Sequence, residues 1–356
     1  MIPGSSEAYS FGTETCQASF PRTYRSVKEG NRKDVLKICY RKYIANKPNR
    51  GSLPSYNLVF LHGTGMNKGI WHSLIDQIYV KSADSGLHIN TCMAVDAVNH
   101  GESAAVNENY LGDAYDWRDG AYDIIKVVEA ERDTFMDLSR KNIIIGHSMG
   151  GMIAMYTSYL QPQLFDACVT INPVAYRSEG VTMIRDVLAP KGYMETQFDV
   201  PEGESWEKVV FSYMRSQSFF KRFDDKVLKN LIDDEVPSDL YGKEVSKVSL
   251  RTSKENTLAT YLGSDQALPP MSAVLPYIEI PVIRFLSEKD TASDDDKERL
   301  EHDVGDKLET VHLPGKRHIL NGEDPELTVK HLLEVLLRRS TAPPTEFPFI
   351  SIIPKL

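Results

Sequence analysis

Ser148 stands in the run Gly146-His147-Ser148-Met149-Gly150, after three consecutive isoleucines and before a stretch rich in alanine and methionine. A hydroxyl at this spacing suits nucleophilic chemistry. A strand that turns sharply into a helix strains the backbone of its apex residue and needs neighbours without side chains. Gly146 and Gly150 supply that room, so the run reads as a G-x-S-x-G nucleophile elbow. A serine hydroxyl is a weak nucleophile near neutral pH, so it needs a base, and the base needs an orienting acid. In this architecture the chain order is serine, acid, histidine. His302, His312, His318 and His331 are the histidines beyond Ser148. His302 and His331 fall in helix patterns and read as solvated, and His312 lies inside a strand pattern. His318 follows that strand in the loop "PGKRHILNGEDPE" and is the expected base. Asp290, just past the apolar run of "PVIRFLSEKD", is the expected acid, whereas Glu288, Asp294, Asp295 and Asp296 read as helix-start and surface charges. Acyl transfer also needs donors aimed at the developing oxyanion. The backbone N–H groups of Met149 and of Thr64, in "HGTG", are the expected pair. Such a mechanism requires no cofactor and no metal.

These residues must be positioned by an alternation of strands and helices. "VLKICYRKYIA" alternates like a half-exposed strand, and "YNLVFLHG", "INTCMAVDAV", "NIIIGH" and "DACVTINPV" read as further strands. "WHSLIDQIYVKSA", a long stretch beginning at "DWRDGAYDII", and Met149 to about Leu160 read as the helices between them. Between about Val174 and Leu275 the rhythm changes to charged, amphipathic helices without a strong strand. It resumes with "IPVIRFLSEKD", the helix "DDDKERLEHDV", the strand "LETVHLPG" and a last helix with Pro325 in its first turn. The expected class is α/β, a mostly parallel sheet with helices on both faces. The expected divisions are a core over 23–174, a helical lid insertion over 175–275, a second core part over 276–340 and a tail over 341–356. Lid residues Phe211, Phe219 and Phe220 would either line an acyl pocket or pack the insertion onto the sheet.

With 41% hydrophobic and 26% charged residues, the chain can bury a large core. A net charge of -9 disfavours nucleic acid as the main partner, and no apolar run is long enough to span a membrane. Cys16, Cys39, Cys92 and Cys168 lack metal-like spacing and read as buried thiols of a reducing compartment. No basic-then-apolar signal opens the sequence. The terminal Pro354-Lys355-Leu356 is close to the S-K-L peroxisomal address, so a peroxisomal import receptor is an expected partner, against the alternative of a chance basic-apolar ending.

The elbow, the HGTG turn and the alternation together resemble the α/β-hydrolase superfamily from Tyr56 to the end of the last helix. More narrowly, "HGTGMNKGIW", "DAVNHGESA", "WRDGAYDIIKVV", "GHSMGG", "INPV" and "YMRSQSFF" are similar to the lipases and acyl-CoA hydrolases of fungal peroxisomes. The resemblance implies an α/β-hydrolase fold with a helical lid and a serine esterase, lipase or thioesterase. It implies action in peroxisomes on fatty or polyketide-derived acyl groups, including secondary-metabolite biosynthesis. In those relatives the triad acid comes from the strand after the nucleophile helix, where this chain has Asn172-Pro173. Either Asp290 supplies the acid or the site is impaired. The alternatives are a lyase or cofactor-free haloperoxidase on the same scaffold, and a non-catalytic binding protein of this fold.

Overall fold

The computed structural model describes residues 4–23, 25–28, 35–49, 51, 53–176, 195–217 and 219–342. The first strands are β1 (Gly4–Ser5), β2 (Tyr9–Gln17), β3 (Lys37–Ala45), β4 (Ser55–Leu61), β5 (His88–Val95), β6 (Arg140–His147) and β7 (Ala167–Ile171), of which β4 and β7 are short apolar runs buried throughout. After the short β8 (Gln197–Asp199) and β9 (Lys247–Ser249) come β10 (Val282–Lys289) and β11 (Leu308–Arg317). The main sheet runs β1-β2-β3-β5-β4-β6-β7-β10-β11. Its pairs are antiparallel from β1 through β3 to β5 and parallel from β5 to β11. Every residue of β4 is buried, as a central parallel strand covered on both faces requires. Its side chains alternate between two cores. Leu58 and Phe60 join Trp71, Ile75 and Phe285 on one face, and Val59 and Leu61 join Val128, Ile144 and Met152 on the other.

The faces are covered by α1 (His72–Asp84), α2 (Gly101–Asn107), α3 (Trp117–Ala130), α4 (Met149–Leu160), α5 (Trp206–Ser216), α6 (Asp225–Glu235), α7 (Lys254–Ser272), α8 (Asp294–Val304) and α9 (Pro325–Ser340). Short polar side chains start several of them: Asp116, Ser205, Asp224, Ser253, Ser293 and Asp324 each accept from a backbone N–H of the first turn. Helices α3 and α4 pack together on one side, α1 and α9 on the other.

Three features differ from the sequence expectation. The sheet begins earlier, because the alternating stretch Tyr9–Gln17 pairs along its whole length with β3. The long helix starting at Trp117 ends at Ala130; Glu131 leaves helical geometry and caps back to Val127, and a separate turn follows. Within the expected lid, β8 and β9 form an antiparallel pair whose three-residue strands are too short to show periodicity.

Candidate active site

Strand β6 ends at His147 and α4 begins at Met149, so Ser148 carries the whole turn between them. Its φ of 53° and ψ of −116° are strained for a residue with a side chain. The flanking glycines are required by close approach. A Cβ on Gly146 would lie 2.1 Å from the carbonyl oxygen of Gly150, and one on Gly150 would lie 2.4 Å from that of Leu61. The elbow is tied to the end of β7, since the Ser148 N–H donates to the Ile171 carbonyl at 3.0 Å and the Val174 N–H to the Ser148 carbonyl at 3.3 Å.

Two parallel neighbours deliver the other two side chains. The register of β10 and β11 runs to Lys289 opposite Arg317, after an irregularity between Ser287 and Lys289. Asp290 and His318 are therefore the next residues out of adjacent strands. His318 Nε2 is 3.0 Å from Ser148 Oγ, and His318 Nδ1 is 2.5 Å from Asp290 Oδ1. The carboxylate accepts the Nδ1–H, which leaves the Nε2 lone pair facing the serine hydroxyl. The Asp290 side chain is 2% exposed and that of His318 20%. Burial alone would raise the Asp290 pKa. The hydrogen bond and charge of His318, with the Thr291 N–H at 2.8 Å, outweigh it and hold the carboxyl below the ordinary carboxylate value. A cavity of about 70 Å³ lined by Pro173, Tyr176, Asp290, Thr291 and His318 adjoins the imidazole. His302 is exposed on α8, whereas His331 is partly buried on α9, bonded to Glu334 and edge-on to Phe285.

The HGTG turn lies against the elbow. A Cβ on Gly63 would come within 2.6 Å of His147 Nδ1 and 3.2 Å of Ser148 Cβ, and Thr64 Oγ1 is 3.7 Å from Met149 Sδ. Among the described residues, no acceptor takes the N–H of Thr64 or of Met149. Two buried imidazoles shape the turn. His100 Nε2 accepts the Gly65 N–H at 3.1 Å while its Nδ1–H donates to Asn99, and His62 bridges Gly63 and Ala97. Burial lowers the pKa of both, so they remain neutral acceptors.

The sequence pattern gave no signal for two further residues. Lys68, wholly buried beyond the turn, sits 2.9 Å from Asp96, 2.8 Å from Glu102 and 3.7 Å from Asp234 of α6. His147 donates its Nε2–H to the His318 carbonyl at 2.9 Å. Asn172, just past β7, is fully buried with φ of 45°, and its side chain is a carboxamide that cannot serve as an acid. Of the aromatics in the expected lid, Phe219, Phe220 and Phe223 form a cluster in which Phe219 and Phe220 meet edge-on at 4.8 Å and Phe223 packs on both, while Phe211 carries the Arg215 guanidinium at 5.3 Å. Phe223 abuts Gly322 in the segment after His318, so the cluster supports the histidine's loop.

The sequence profile of the alpha/beta hydrolase family matches residues 58–331. The chain belongs to the alpha/beta hydrolase family. This hydrolase is 28% identical over 334 residues to the peroxisomal membrane protein LPX1 of Saccharomyces cerevisiae, across 90% of this chain and 85% of that protein. The crystal structure of the yeast peroxisomal alpha-beta-hydrolase Lpx1 aligns with a TM-score of 0.80 at 26% identity, covering 99% of this chain and 94% of that one. A shorter stretch of 146 residues is 31% identical to the type I acyl-CoA thioesterase mpaH' of Penicillium brevicompactum, covering 40% of this chain and 32% of that protein. Among the described residues, no helix is long and apolar enough to cross a membrane.

Proposed function

We propose that the protein is a serine hydrolase that cleaves carboxylic ester or thioester bonds of a hydrophobic acyl substrate. The observation that carries this is the continuous line Ser148 Oγ to His318 Nε2 at 3.0 Å and His318 Nδ1 to Asp290 at 2.5 Å, beside two uncommitted N–H groups. Ser148 Oγ attacks the acyl carbonyl as its proton passes to His318 Nε2, and Asp290 stabilises the imidazolium. The N–H groups of Thr64 and Met149 receive the oxyanion. Collapse of the tetrahedral adduct expels the alcohol or thiol, which takes the proton from His318. Water, deprotonated by His318, then frees the acid and restores Ser148.

The similarity to an acyl-CoA thioesterase favours a thioester. The similarity to yeast LPX1 supports a peroxisomal location. Pro354-Lys355-Leu356, the proposed import address, lies outside the described residues. Incubation with a fluorophosphonate probe tests the reaction class: the parent should label, and Ser148→Ala should not. Failure of the parent to label would remove the proposal. Rates on acyl-CoA thioesters, p-nitrophenyl esters and triacylglycerols then divide thioesterase from esterase and lipase. A fluorescent fusion truncated by the last three residues should lose peroxisomal import.

A further inference from the structure

We propose that Asn172 is a positioning residue that sets the place of His318 against Ser148 and Asp290; this rests on the hydrolase reading above. Asn172 ends the β7 segment beside the elbow. Its carboxamide spans the two strand ends that carry the proposed acid and base. On the β10 side, Asn172 Oδ1 accepts the Ser287 N–H at 2.8 Å, and its own backbone N–H donates to the Phe285 carbonyl at 3.0 Å. On the β11 side, Asn172 Nδ2 lies 2.9 Å from the carbonyl oxygen of His318 and 3.2 Å from that of Arg317. The same amide nitrogen is 2.9 Å from Ser287 Oγ.

The orientation of the amide follows from its partners. A backbone N–H can only donate, so the atom facing Ser287 N is the oxygen. The carbonyls of Arg317 and His318 can only accept, so the atom facing them is the nitrogen. The His318 carbonyl is held a second time, by His147 Nε2–H at 2.9 Å. Two side chains, one from the elbow and one from the end of β7, therefore grip the backbone of the histidine whose ring must reach Ser148.

Few residues satisfy these demands together. The site needs a donor and an acceptor on one short side chain, and a backbone at φ of 45°, a left-handed conformation that asparagine tolerates better than most residues. An aspartate would fill the same volume but, as a carboxylate, has no hydrogen to give two carbonyls. Asn172 thus acts through His318 and need not replace a missing acid.

The test compares Asn172→Ala and the isosteric Asn172→Asp with the parent by three measurements. These are kcat and KM on p-nitrophenyl butyrate, thermal unfolding, and the far-downfield proton resonance of the His318 Nδ1–H bonded to Asp290, which can be recorded without substrate. Displacing a base by a fraction of an ångström costs roughly 10- to 100-fold in turnover. The expected result is that loss in kcat for both variants, with KM within about threefold and a folded protein. The downfield resonance should broaden or vanish. A variant that keeps both the resonance and kcat within about twofold of the parent overturns the inference. Loss of the fold in both variants overturns it too, since the residue would then act on stability. If the parent hydrolyses nothing, yet shows the resonance and loses it in the variants, the positioning role stands and the hydrolase reading falls.

Discussion

The ammonium of Lys68, just past the turn that carries Thr64, lies 3.7 Å from the Asp234 carboxylate of helix α6, and both side chains are buried. Burial alone would lower the Lys68 pKa; Asp234, Asp96 and Glu102 outweigh it and raise it. Arg41 pairs with Asp234 from β3, so α6, the sheet and the segment after the HGTG turn meet in one buried ionic cluster. Removing one member of such a cluster strands the others, at a cost of about 3–5 kcal/mol. Lys68→Met should therefore lower the urea unfolding free energy by that order, and an unchanged midpoint would show that the cluster contributes nothing net.

Gly63 is packed against the side chains of His147 and Ser148, so even a methyl there has nowhere to go. Gly63→Ala should push the HGTG turn off the elbow and misdirect the Thr64 N–H. A misplaced oxyanion donor costs on the order of 10²-fold in kcat. Steady-state kinetics on p-nitrophenyl butyrate, with circular dichroism to verify the fold, should show that loss with little change in KM.

Asp290 fixes which nitrogen of His318 carries the proton. Asp290→Asn allows the other tautomer, with hydrogen facing Ser148 Oγ, and kcat should fall on the order of 10³–10⁴-fold with KM nearly unchanged. A loss under about tenfold would mean that another group orients the imidazole.

His147 should govern part of the acid sensitivity of folding. Burial, with His318 beside it, pushes the His147 pKa down to about 3, so the folded protein holds it neutral. The unfolded chain takes up this proton near pH 6.5. Because the unfolded state binds more protons between these values, the contribution of His147 to stability is full above about pH 6.5 and declines as the pH falls toward 3. The slope approaches about 1.4 kcal/mol per pH unit. His147→Gln keeps a donor for the His318 carbonyl and cannot titrate, so its unfolding free energy should fall less steeply than the parent's across that window. Parallel curves from chemical denaturation would contradict this.

Much of the fold was legible in local pattern. The strands β4, β6 and β10 are apolar runs bounded by turn residues, and α4 and α9 follow glycine and proline signals that act over a few residues. Ser148 was legible for the same reason: strand, tight turn and helix leave their marks within one short segment. Strand β2 escaped notice because its half-exposed alternation is weak and its partner β3 is distant in sequence.

The sequence by itself determined the elbow, the alternation of the central strands and helices, and the candidates Asp290 and His318, because spacing along the chain encodes local backbone geometry. Only the tertiary structure decided that Asp290 and His318 leave adjacent strands side by side, that Asn172 joins Ser287 of one strand to the His318 carbonyl beyond the other, and that Lys68 sinks among carboxylates from three separate segments. Those are long-range relationships, and no residue type announces its partner when the partner is brought near only by the packing of a sheet.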